Sequence, residues 1–98
     1  MAKKVKGSEV EMIEVLNCYR VPSKLYMEVK DHMYKQLNKI LPNQIYTLKK
    51  MCGKHFWDHL KIAEKRNAGR AFAQMVVIGI FSFEFVENKS PTKRYQLK

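Results

Sequence analysis

The chain has 98 residues, 46% of them hydrophobic, enough for one domain with one small core. Nineteen Lys and Arg face nine Asp and Glu, a formal charge of +10. That surplus points to a polyanionic partner, nucleic acid before an anionic membrane, with solubility alone as the plain alternative. No apolar run is long enough to cross a membrane, and two cysteines, Cys18 and Cys52, do not make a disulfide framework.

The positive charge is unevenly placed. Residues 1–43 carry eight basic and five acidic groups, and residues 44–98 carry eleven and four. The segment Met1–Gly7 is basic but has no apolar stretch behind it, so it reads as a flexible arm and not as a signal peptide. A cytoplasmic, nucleoid-associated protein with reduced thiols is the expectation. Residues 8–98 read as a single domain, with a helical part over 8–43 and a second part over 44–98.

Ser8 with Glu11 three residues later resembles a capping box, which predicts a helix over Glu9–Cys18 with Val10, Ile13, Leu16 and Asn17 near one face. Val21-Pro22-Ser23 breaks it, and Ser23 is the expected cap of a second helix running to about Ile40. Leu25, Val29, Met33, Leu37 and Ile40 share one face there, opposite Lys24, Glu28, Asp31, Lys35, Asn38 and Lys39. Gln44-Ile45-Tyr46 is β-prone. Thr47 is placed to cap a short helix, Leu48 to Cys52, which Gly53 ends in a left-handed conformation. A helix so short is held by packing, and Phe56, Trp57 and Leu60 are its expected anchors.

The next helix, about Ile62 to Ile78, has two faces. Ala68, Ala71, Phe72, Met75, Val76 and Ile78 crowd one side. Arg66, Arg70, Ala73 and Val77 crowd the other, with Asn67 and Gln74 on a shoulder. Gly79 ends it. Phe81, Phe83 and Phe85 then alternate with Ser82, Glu84 and Val86, a strand expected over Ile80–Glu87. A turn over 88–93 leads to a returning strand, Arg94–Leu97.

Arginine can bond two acceptors on guanine, and Gln or Asn can bond adenine, so Arg66, Arg70, Gln74 and Asn67 are the candidates to read bases in a major groove. Lys49, Lys50, Lys54, Lys65, Lys89, Lys93 and Arg94 are the candidates to hold phosphates. A solvated helix face and an ordinary charged hairpin tip are the competing readings of the same residues. Cys52, His55 and His59 have a spacing that could gather three metal ligands. Partly exposed histidines beside Trp57 are the simpler reading, and no metal or cofactor is expected. No nucleophile elbow, Gly-rich phosphate loop or carboxylate pair is present, so no catalytic residue is assigned and an enzyme is not expected.

Ile45-Tyr46-Thr47, Gly53, Phe56-Trp57 followed by Leu60, Ala68-Gly69-Arg70 and the closing Arg94-Tyr95 together resemble winged helix-turn-helix modules. They are most similar to short bacterial and prophage-type proteins in which a Phe-Trp pair precedes a helix carrying Gly-Arg. The resemblance covers about residues 44–97. It implies an α+β winged-helix fold with one or two extra N-terminal helices and a C-terminal β-hairpin wing. It implies double-stranded DNA as partner and a regulatory role, with a homodimer plausible because one small domain buries limited area on DNA. The alternative is a protein-interaction module, such as an immunity, inhibitor or anti-host factor, that uses the same scaffold against a protein partner.

Overall fold

The computed structural model describes residues 11–87 and 93–98. The N-terminal arm, Ser8, Val10 and the turn residues 88–92, Lys89 among them, lie outside these.

The described chain begins with an antiparallel hairpin, β1 (Met12–Val15) and β2 (Tyr19–Pro22), with Met12 opposite Pro22 and Val15 opposite Tyr19. This corrects the helix expected over Glu9–Cys18. The burial in β1 has a period of two: Ile13 and Val15 face inward, Met12 and Glu14 outward. Val15 and Val21 are fully buried. The turn places Leu16 and Asn17 at φ 54° and 64°, and the Cys18 amide donates to the Val15 carbonyl at 3.3 Å. Two positive φ values in succession give a turn whose twist matches that of paired strands.

Helix α1 (Ser23–Gln36) follows and tightens into a 3-10 turn over Leu37–Lys39, so the α-helix stops short of Ile40. Pro22 occupies the N-cap in place of Ser23, whose amide instead donates to the Glu11 carbonyl at 2.8 Å. A two-residue strand, β3 (Ile45–Tyr46), leads to α2 (Leu48–Cys52). Thr47 caps α2 as expected, its hydroxyl accepting from the Lys50 amide at 3.3 Å. Gly53 has the positive φ expected of it, 84°, but its ψ of 153° is extended. That pair of angles is open only to glycine, and it turns the chain directly into α3 (Lys54–Asp58).

Helix α4 (Ile62–Val77) starts with the Lys61 amide donating to Glu64 Oε1 at 2.8 Å. It ends at Gly79, φ 85°, where the Gly79 and Ile80 amides donate to the Val76 and Met75 carbonyls at 3.2 and 2.8 Å. Ile80 is thus committed to the helix end. The strand expected from Ile80 starts later, as β4 (Phe83–Glu87), and pairs with β5 (Arg94–Leu97). The three-stranded antiparallel sheet has the order β3–β5–β4, and the register slips between Phe85 and Glu87, leaving Val86 as a bulge.

The core lies between α1, α4 and this sheet. Phe72, fully buried, has its ring centroid 4.9 Å from Tyr95 and 5.7 Å from both Phe81 and Phe83. Leu25, Val29 and Met33 of α1 close it from the other side, together with Ala68, Ala71 and Met75. Two placements differ from the helical-wheel expectation. Ile78, expected inside, is 55% exposed because it sits past the last full turn of α4, and Ala73, expected outside, is fully buried. The hairpin β1–β2 packs on that outer side of α4. Among the described residues no helix is long and apolar enough to cross a membrane.

Candidate functional site

A groove of about 620 Å³ opens where the hairpin, α2, α3, α4 and β5 meet. The hairpin contributes Leu16 and Tyr19. The capped start of α2 contributes Thr47, Leu48 and Lys49, and α3 contributes Trp57. Helix α4 contributes Lys65, Arg66, Gly69 and Arg70, and the β5 side contributes Lys93 and Tyr95. Among the described residues that line it, five are cations and none is a carboxylate. Unopposed cations on a concave wall focus the field onto the space between them.

The fold therefore gathers Lys49, Lys65, Arg66, Arg70 and Lys93 from three places in the chain. It does not gather the other predicted residues there. Lys50 and Lys54 are exposed, Arg94 is exposed on β5, and Asn67 is half-buried on α4. Lys89 lies outside the described residues. Within α4 the two arginines differ. Arg66 is exposed. Arg70 is half-buried, its guanidinium carbon 3.9 Å from the centroid of the Tyr19 ring, a cation–π contact. Gln74 is engaged as well: its Oε1 accepts from the Leu16 amide at 2.7 Å. So the outer α4 face is open at Arg66, lies under the hairpin from Arg70 to Gln74, and is open again at Val77. Sequence reasoning missed Tyr19 and Leu16. The inward pair Ile13 and Val15, followed by Asn17 at a turn and by Tyr19 and Val21, was the signal for them.

The short helices are tied to α1. His32 Nε2 donates to the Cys52 carbonyl at 2.7 Å, and its ring stacks on Phe56 with centroids 3.9 Å apart. Gln36 Nε2 donates to the Met51 carbonyl at 3.0 Å. These bonds satisfy carbonyls at the end of α2 that have no partner within the helix, and they fix the angle at which α2 presents Lys49.

The Cys52, His55 and His59 trio is split by burial. Cys52 is buried with its Sγ 4.0 Å from Met33 Sδ, and burial pushes its thiol up to about 12. His55 and His59 are exposed in a shallow hollow with Lys54 and Asp58, and His59 Nδ1 donates to the His55 carbonyl at 2.9 Å. Among the described residues no three His, Cys, Asp or Glu groups are placed to hold a metal ion.

Comparison with curated proteins and with solved structures finds no match. A family model described as a domain of unknown function, DUF1413, matches residues 31–97, from the middle of α1 through β5. The match takes in the short helices, α4 and the three-stranded sheet but not the N-terminal hairpin, and over more than half of its length the chain belongs to that family.

Proposed function

We propose that the chain is a winged-helix protein that binds double-stranded DNA and acts as a small transcriptional regulator, of the kind carried by phages and mobile elements. In this reading α4 is the helix that meets the major groove, β4–β5 is the wing, and α2 crosses the backbone. The succession α1, β3, α2–α3, α4, β4, β5 with sheet order β3–β5–β4 supports it. The observation that carries it is the groove, with its five cations and no carboxylate among its described lining residues. Arg66 is the base-reading residue, at the open N-terminal half of α4, with Asn67 beside it. Arg70, expected among the base readers, is held against Tyr19 and in this reading joins Lys49, Lys65 and Lys93 in holding phosphates, with Lys50, Lys54 and Arg94 flanking them. Gln74 drops out of the reading set because its acceptor is occupied. A cytoplasmic place at the nucleoid and a homodimer on DNA belong to the same reading.

Selection of bound duplexes from a random pool tests it. The expected result is an enriched sequence, with Arg66→Ala weakening its binding by about 1–3 kcal/mol. A chain that retains no duplex at low salt overturns it.

A second reading, a protein-interaction module, is favoured by one observation. The hairpin covers Arg70, Ala73 and Gln74, which shortens the face open to a groove, while Val77 and Ile78 stay 61% and 55% exposed at the far end. Failure of duplex capture, combined with binding of an acidic protein that Val77→Ser abolishes, would select it.

A further inference from the structure

We infer that the basic groove seats an unpaired nucleotide, its phosphates against the cations and its base against the Tyr19 and Trp57 rings. The inference rests on nucleic acid being the partner and says which part of it enters the groove. A duplex is convex and keeps its base faces stacked inside, so rings set along a concave wall cannot stack on them. An unstacked base can reach them, and stacking on an aromatic ring flanked by cations is how single strands are held without sequence readout. The groove, about 620 Å³, falls within the roughly 300–1,000 Å³ of sites that enclose a small ligand.

The Tyr19 ring suits this role. Arg70 covers one face at 3.9 Å, yet the residue stays 40% exposed, so a held ring is offered to the groove. Trp57 is half-buried in the same wall. Lys65, Arg66 and Lys93 stand where a backbone would pass. The hairpin that supplies Tyr19 precedes the family-matched segment 31–97, and Trp57 lies within it.

Two ligands test this: a blunt duplex, and the same duplex with a single-stranded overhang of roughly four to eight nucleotides. Trp57 is the chain's one tryptophan, so its fluorescence reports on the groove directly. The overhang is expected to tighten binding about tenfold and to quench Trp57, in line with stacking of one base. Tyr19→Phe keeps the ring and should keep the gain. Tyr19→Leu should bring the overhang ligand down to the affinity of the blunt duplex for the same variant. Equal affinity for the two ligands, or a Tyr19→Leu protein that keeps the gain, overturns the inference and leaves duplex binding intact. Binding of neither ligand overturns the DNA reading along with it.

Discussion

Gly69 and Gly79 belong to one helix and its end, yet the backbone gives them opposite roles. Gly79 holds φ at 85°, while Gly69 lies inside α4, and neither has an atom within 4 Å of where a β-carbon would stand. Crowding is therefore not the issue, and conformation decides. Gly79→Ala should cost about 1–2 kcal/mol, since a β-carbon strains the left-handed region. Gly69→Ala should gain about 0.5–1 kcal/mol by removing backbone freedom from the unfolded chain. Urea unfolding of both variants measures the two signs. Gly69 also lines the groove, so duplex affinity of Gly69→Ala shows how closely a backbone approaches there. Cys52 makes a third case at this scale. Burial raises its thiol from 9.0 to about 12, so below pH 9 folded and unfolded chains both keep the proton and the stability is whole. Above that the unfolded chain ionises first, and stability should fall by about 1.4 kcal/mol per pH unit until pH approaches 12. Burial pushes the Tyr95 phenol upward too, from 10.0, and adds to the loss in the same direction. Cys52→Ala should show a smaller drop in urea midpoint between about pH 8 and about pH 10.5 than the parent chain, because the earliest of these ionisations is gone.

Hairpin β1–β2 packs on α4 and α1 with Val15 and Val21 fully buried, and a side-chain hydrogen bond to Gln74 holds its turn. Leu16 sits at φ 54°, a costly value for a branched side chain, and its amide is bound by Gln74 Oε1 at 2.7 Å. Gln74→Leu leaves that amide without its acceptor and should cost about 1–2 kcal/mol, with faster hydrogen exchange confined to residues 12–22. Gln74→Glu retains an acceptor and should keep the protection. If both variants exchange as the parent does, Gln74 does not hold the hairpin. This element is also where sequence reasoning failed. Ser8 and Glu11 imitate a helix start, and Leu16-Asn17 lacks the glycine that marks such a turn, so local signals favoured a helix. Only tertiary burial of Val15 and Val21 separates the two outcomes. Helix α4, by contrast, was readable to within a residue, because six apolar positions repeat at helical spacing, Gly79 stops it, and Phe81, Phe83 and Phe85 alternate after it. The wheel still misplaced Ala73, since a single helix cannot reveal that a hairpin from residues 12–22 will cover its outer side.

The distribution of charge over the whole molecule carries the functional argument. The surplus of basic residues in 44–98 was visible by counting, but counting cannot say which cations converge. Lys50 and Lys54 are as prominent in sequence as Lys49, yet only Lys49 reaches the groove, because Thr47 caps α2 and His32 and Gln36 fix its far end. Lys93 reaches it only through the antiparallel return of β5 beside β3. If these cations neutralise phosphates, affinity must be set by counterion release, with log Kd rising against log salt by about 0.9 for each phosphate held. The five groove cations then give a slope of roughly 4 on duplex DNA. The double variant Lys49→Gln, Lys93→Gln should lower that slope by about 2, whereas Lys50→Gln, Lys54→Gln removes the same charge from outside the groove and should lower it less. Fluorescence anisotropy across a salt series, with circular dichroism to show that each variant is folded, distinguishes the two pairs. Equal slopes for both would mean that total charge, and not the groove, governs the encounter, and the site would lose its claim on the partner.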